Sequence, residues 1–138
     1  MPELKTLDQQ RAAFAWDKVS ALGGSKDYRS LVRQLPSMVQ TNGLAQTLAF
    51  LLAPSGAKKD LYQQLQQWLC TEAPHPVYPK EEGKEISLMR SLTRGDSLTL
   101  RRATLEVQAL ALWLKRFSEA LDIEAAAAQT SETSPEGV

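Results

Sequence analysis

YRSLVRQLPSMVQTNGLAQTLAFLL, residues 28–52, carries the signals that decide the fold. Tyr28, Leu31, Val32, Leu35 and Val39 recur at helical spacing on one face, while Arg29, Arg33 and Gln40 lie on the other. Pro36 disfavours helical dihedrals at Leu35, and its ring clashes with the carbonyl four residues back, so a kink or a break is expected there. Asn42-Gly43 supplies residues that tolerate the left-handed conformation closing a helix. From Leu44 the chain is apolar almost all round, which predicts a buried helix. The stretch therefore reads as two helices, over about 26–40 and 43–53.

Upstream, Thr6 with Gln9 three residues on has the pattern of a capping box, so a first helix is expected over 7–22, ended by Gly23-Gly24. Ala12, Ala15, Trp16, Val19 and Leu22 form its core stripe, and the small alanines let another helix approach. Downstream, Pro54-Ser55-Gly56 separates off a fourth helix over 57–70 with Leu61, Leu65, Trp68 and Leu69 inward. Gln63, Gln64, Gln66 and Gln67 are then left outside. Such a face is either ordinary wet surface or a protein contact surface where charge would be costly to desolvate, with Gln63, Gln64 and Gln67 as the candidate contact residues.

Pro74, Pro76 and Pro79 forbid a helix and favour extended geometry in the one long loop, which crosses over to the last two helices. A short fifth helix over 85–93 turns Ile86, Leu88, Met89 and Leu92 inward. Asp96 or Ser97 caps a final helix to about 123, on which Leu100, Ala103, Val107, Leu110, Leu114, Phe117 and Leu121 repeat in steps of three and four. Leu98, Leu105 and Leu112 make a second apolar strip. Two strips predict two neighbours, so this helix should be the centre of a bundle rather than a strand of a coiled coil, which has one narrow seam. The fold class is all-α: a single-domain bundle of about six helices over residues 1–124 with a long central C-terminal helix. Residues 125–138 are expected to form an acidic, disordered tail, although the alanines at 125–128 can extend the helix.

A chain of 138 residues suffices for one domain with a real core. Cys70 has no intrachain disulfide partner, and neither a charged-then-apolar leader nor a long apolar span is present, so a soluble, cytoplasmic protein without membrane contact is expected. The net charge of zero conceals an asymmetry: all 16 Lys and Arg residues lie at or before Arg116, with 11 of the 16 acids. From Phe117 onward the chain carries Glu119, Asp122, Glu124, Glu132 and Glu136 and no base. A mixed surface with a solubilising tail accounts for this, and so does a polyanion bound to the basic part.

The inventory for catalysis is thin. His75 sits between two prolines, and Cys70 with Glu72 is the only nearby set of metal-type ligands, without a recognisable spacing. Glu81, Glu82 and Glu85 are interleaved with Lys80 and Lys84, which reads as a solvated loop rather than a two-metal centre. Gly23-Gly24-Ser25-Lys26 lacks the strand and glycine spacing of a phosphate loop. No metal, cofactor or catalytic residue is therefore expected, and binding remains. Arg29 with Arg33, Lys58 with Lys59, Arg90 with Arg94 and Arg101 with Arg102 are the candidate phosphate contacts. Lys58 and Lys59 open a helix, where their charge adds to the positive end of the dipole. Because no aromatic residue is interleaved with these bases, nucleic-acid binding would be to the backbone and blind to sequence.

One further feature concerns order. Arg11, Ala12, Ala15 and Val19 in the first helix are followed by Tyr28, Leu35-Pro36, Asn42-Gly43-Leu44 and then Thr47-Leu48-Ala49-Phe50-Leu51. That succession resembles the small α-helical subunit of the Cmr (type III-B) CRISPR effector complexes, over roughly the first third of the chain. The resemblance implies a non-catalytic helical brick, several copies of which stack along a backbone of larger subunits holding the guide RNA and line the groove of the target RNA, with cleavage left to other subunits. It implies as partners the other Cmr subunits, further copies of the chain, and guide and target RNA through the complex, with an isolated chain that is monomeric. The competing readings are a helical adaptor that binds only protein, through its glutamine face and last helix, and a small hydrolase using Cys70 and His75.

Overall fold

The computed structural model describes residues 4–132. Among the described residues there are six α-helices: α1 Leu7–Leu22, α2 Lys26–Asn42, α3 Leu44–Leu51, α4 Gly56–Gln67, α5 Leu88–Arg94 and α6 Ser97–Glu132, with a π-helical turn at Trp68–Glu72 after α4. No strand occurs among the described residues. α6 packs chiefly on α1 and α2 and also meets α3 and the π turn, so the long last helix is the centre of the bundle. The core joins Val19, Tyr28, Val32, Leu35, Leu48, Leu51, Leu61, Leu65, Trp68 and Leu69 to Ala103, Val107, Leu110 and Leu114 of α6, all buried.

Local chemistry sets the boundaries. Thr6 Oγ1 accepts the Gln9 amide N–H at 3.0 Å and Gln9 Oε1 accepts that of Thr6 at 2.8 Å, closing the capping box. α1 ends at a buried Gly23, where a Cβ would come within 2.5 Å of the Val19 carbonyl and 2.8 Å of Leu121 Cδ1 on α6. Only glycine lets the two helices meet there. At the start of α6, Asp96 Oδ1 accepts the Thr99 N–H at 2.7 Å as the expected cap. Gly43 has φ +83°, a region that side chains rarely adopt, and its N–H caps α2 on Val39 at 2.9 Å.

Five expectations need correction. α2 is not split at Pro36: Leu35 stays helical and fully buried. A proline removes one backbone donor, and the burial of Val32, Leu35 and Val39 outweighs that loss. The Pro36 carbonyl meanwhile accepts Gln108 Nε2 of α6 at 3.1 Å. The fourth helix does not remain α-helical to Cys70. It widens into the π turn, and the Leu69 and Cys70 carbonyls freed there accept the N–H groups of Tyr78 at 3.0 Å and Lys80 at 3.2 Å, which pins the proline-rich loop.

Trp16 is half exposed, its ring edge-on to Phe117 with centroids 5.1 Å apart. Phe14 takes the core position instead and lies 5.0 Å from the Trp68 ring. The strip Leu98, Leu105 and Leu112 faces away from the bundle. Each of these leucines is two residues from a buried or half-buried position, about 200° round the helix, and small Ala103 and Ala111 let α1 and α2 share one broad face. Finally, α6 does not end near 123 but is helical to Glu132, the extension that the alanines at 125–128 allow. Residues 133–138 of the expected tail lie outside the described residues.

Candidate nucleic-acid interface

The cationic pairs fall at different places. Arg90 and Arg94, one turn apart on α5, line an open cleft of about 700 Å³ together with Lys80, Lys84, Glu81 and Glu85 of the preceding loop. Lys84 Nζ and Glu81 Oε2 are 2.7 Å apart at an exposed site, so this acid neutralises part of the cluster. The Lys84 hydrogen bond holds the Glu81 carboxyl below its usual value and raises Lys84 in return. Under the cleft lie buried Cys70 and Tyr78, and the Tyr78 hydroxyl is buried without a hydrogen-bond partner among the described residues.

Arg101 and Arg102 are exposed on the first turns of α6, and Arg102 Nη2 donates to the His75 carbonyl at 3.1 Å. Arg29 Nη1 donates to the Gly23 carbonyl at 2.6 Å, so it sits where α1 meets Leu121. Twenty residues separate that level from Arg101, about 30 Å along α6. Arg33 is exposed one turn further along α2. Lys58 stands over the Phe50 ring at 4.0 Å from its centroid, a cation–π contact that offsets its position at the helix N-terminus, and Lys59 is exposed. The Arg90 and Arg94 cleft and the Arg101–Arg102 turn thus lie near one end of α6, and Arg29 with Arg33 near the other.

The glutamine face divides. Gln63 and Gln67 are exposed, whereas Gln64 is buried and accepts the Tyr28 hydroxyl hydrogen at 2.7 Å. Its expected place on the surface is therefore corrected: three residues before Gln67 and three after Leu61, it falls on the flank that α2 covers. Gln66 accepts the Leu88 N–H at 2.9 Å and the Tyr62 hydroxyl accepts that of Met89 at 3.1 Å, so α4 side chains serve the free donors of α5. Burial raises the Tyr62 phenol above its usual pKa and outweighs the opposing Met89 bond.

Cys70 is buried, with its thiol pushed up to about 11 by desolvation, and His75 is exposed in the loop. No group of three or more His, Cys, Asp or Glu side chains suited to a metal occurs among the described residues. Among these residues, no helix is long and apolar enough to cross a membrane.

Sequence reasoning missed the most elaborate polar cluster. Glu106 of α6 accepts Arg11 Nε at 2.7 Å on Oε1, Arg11 Nη2 at 2.8 Å on Oε2 and Trp68 Nε1 at 2.8 Å on Oε1. The Arg11 hydrogen bonds, then Trp68, hold the Glu106 carboxyl below its usual value against the opposing effect of burial. Arg11 is raised by the same bonds. A glutamate flanked by Leu105 and Val107 on a mostly apolar helix was the available signal.

These features define a small all-helical protein with a half-buried tie between its first and last helices and clustered surface cations. The chain matches the family described as "CRISPR-associated protein (Cas_Cmr5)" over residues 7–121. It is 34% identical over 122 residues to the CRISPR system Cmr subunit Cmr5 of Thermus thermophilus, covering 86% of this chain and 97% of that one. The crystal structure of a CRISPR-associated Cmr5 family protein from the same species superposes with a TM-score of 0.67 at 30% identity, covering 85% of this chain and 98% of that one. The chain belongs to the Cmr5 family.

Proposed function

We propose that the protein is the non-catalytic small subunit of a type III-B CRISPR Cmr complex, an RNA-guided, RNA-targeting ribonucleoprotein of antiviral defence. Several copies stack along the backbone of the complex and line the target-RNA groove, touching phosphates without reading bases. Family membership over residues 7–121 supports the assignment to the complex. The observation that carries the RNA contact is the cluster of Arg90, Arg94, Lys80 and Lys84 round one open cleft, with Arg101 and Arg102 on the adjoining turn. Guanidinium groups one turn apart match successive anionic groups of a strand, and Tyr78, the aromatic residue among the described lining, is buried rather than presented for stacking a base.

Purification of the chain from its host at low salt, with identification of the co-purifying proteins and short RNAs, tests this reading. Larger Cmr subunits and guide-length RNA are the expected companions. A chain that brings down unrelated protein and no RNA would instead be a helical adaptor working through Gln63, Gln67 and the last helix.

A further inference from the structure

The rim and the floor of the cleft beside α5 differ in kind. The rim is cationic on both sides, with Lys80 and Lys84 on the loop and Arg90 and Arg94 on the helix. The floor carries no charge: Val77 and Tyr78 are buried and Ile86 is half-buried. A phosphate satisfies such a rim and leaves the floor bare, and a cleft of about 700 Å³ holds far more than one phosphate. One polar group of the floor is unused. Tyr78 is only 7% exposed, and its hydroxyl is closed off from water with no hydrogen-bond partner among the described residues. Buried polar groups are nearly always paired, so an orphan in the wall of a cleft marks a place for a ligand.

The main chain fixes where that hydroxyl is held. The Tyr78 N–H donates to the Leu69 carbonyl of the π turn at 3.0 Å. A Cβ on Gly95 would stand 3.4 Å from the Tyr78 ring, so the ring lies against the residue that follows Arg94. Neighbouring polar groups are already engaged: Ser87 Oγ accepts the Arg90 N–H at 3.3 Å, and Lys84 pairs with Glu81. Burial, and after it Asp96 and Cys70, raises the phenol above its usual pKa, so at neutral pH the group is an uncharged donor and acceptor.

We propose that the Tyr78 hydroxyl binds the 2′-hydroxyl of a ribose seated on the cleft floor, so that the small subunit itself distinguishes RNA from DNA. The inference rests on the RNA-groove reading and adds the group of the strand that the cleft selects. Phosphate oxygens are drawn to the cationic rim, and the sugar between two phosphates is the part of a strand that comes to lie over an uncharged floor. A buried neutral phenol matches a neutral hydroxyl that both donates and accepts, which a ribose offers and a deoxyribose lacks. The contact is blind to base identity, in keeping with phosphate binding round the rim. Entry requires the loop wall to yield. Beyond Lys80 that wall is a turn closed on itself, by the Lys84 N–H on the Glu81 carbonyl at 3.2 Å and by the exposed Lys84–Glu81 pair.

The test is the affinity of the reconstituted complex for target RNA carrying single 2′-deoxy substitutions scanned along the strand, for wild type and for Tyr78→Phe. In wild type a subset of positions should weaken binding about 2- to 10-fold more than the rest, the range of one neutral hydrogen bond. Tyr78→Phe should weaken the all-ribose target and abolish the extra loss at those same positions, because both changes remove one contact. The full chain carrying Tyr78→Phe should resist urea at least as well as wild type, since the change removes an unpaired buried hydroxyl. A Tyr78→Phe complex that keeps wild-type affinity, or that loses affinity but retains the 2′-deoxy pattern, would overturn the sugar contact. So would a drop in folding stability, which would give the hydroxyl to the fold, or a loss that follows base identity at those positions, which would put a base on the floor. With any of these results, an Arg90→Gln and Arg94→Gln complex that still binds RNA more weakly shows that the sugar contact alone fails. If that arginine variant leaves affinity and salt slope unchanged, the RNA path lies elsewhere and the sugar contact falls with it.

Discussion

Arg11 of α1 and Glu106 of α6, 95 positions apart in sequence, form a two-point ion pair with N–O distances of 2.7 and 2.8 Å, and Trp68 Nε1 shares the same carboxylate at 2.8 Å. Both side chains are largely out of water, at 16% and 14% exposure, so this pair is not the weakly stabilising surface kind. It fixes the rotation of the central helix against the first helix and the π turn together. Glu106→Ala strands a guanidinium and an indole N–H and should cost about 2–3 kcal/mol in urea unfolding followed by tryptophan fluorescence. Arg11→Ala should cost a similar amount, and the double variant clearly less than the two together.

The same carboxylate sets an acid dependence. Its folded pKa lies below the ordinary value of about 4.3 because Arg11, and then Trp68, hydrogen-bond the charged form. A depressed folded pKa contributes stability that is complete above the unfolded pKa and disappears as pH falls through the folded one. Wild type should therefore exceed Glu106→Gln by a constant margin between about pH 6 and 7, and the margin should shrink once pH drops below about 4.3. Asp96, lowered mainly by the Thr99 N–H, titrates in the same direction in both proteins and cancels from the comparison.

Tyr28 and Gln64 form a second tie, fully buried, between α2 and α4, with the hydroxyl donating to Oε1 at 2.7 Å. Burial is the largest cause of the raised phenol pKa, ahead of the opposing Gln64 bond. Tyr28→Phe keeps the ring and leaves the Gln64 oxygen without its donor, so thermal or urea unfolding should report a loss of about 1–2 kcal/mol. Replacing exposed Gln63 or Gln67 with alanine should change stability by less than about 0.5 kcal/mol.

Periodicity was sufficient for the all-α bundle and for the span of α1, because apolar spacing and caps such as Thr6 and Asp96 act locally; α6 is central as expected, but its two neighbours share one face and do not use the strip from which they were inferred. It failed where tertiary partners decide. Pro36 looks like a break until the burial of Leu35 beside it is known, and Gln64 looks solvated until Tyr28 reaches it. Leu98, Leu105 and Leu112 read as core since hydrophobicity says nothing about whether a neighbour is present. The cation pairs were legible as residues, but the gathering of Arg90 and Arg94 with Lys80 and Lys84 depends on how the loop is pinned to the π turn, which no spacing rule announces. Glu106 was invisible as a tie because its partners come from distant parts of the chain.

Cys70 is buried, and its thiol is pushed up to about 11, so it should resist thiol reagents at about pH 8 in the folded protein and react on unfolding. Cys70→Ala should lose about 1 kcal/mol of packing. Together with His75→Ala it should leave target-RNA cleavage by the assembled complex unchanged, as measured by the rate of substrate loss. Loss of cleavage with assembly intact would give these residues a chemical role.

Target-RNA affinity of the reconstituted complex across a salt series, for wild type and for Arg90→Gln with Arg94→Gln, tests the central claim that the small subunit lines the RNA path. Binding should weaken by the same factor for every matched target sequence. The log–log salt slope should fall by about 0.7 for each phosphate contact removed. Folding stability should move by less than about 0.5 kcal/mol. Unchanged affinity and unchanged slope, for this pair and equally for Arg29 with Arg33, Lys58 with Lys59 and Arg101 with Arg102, would contradict it and leave the subunit as a spacer that touches only protein.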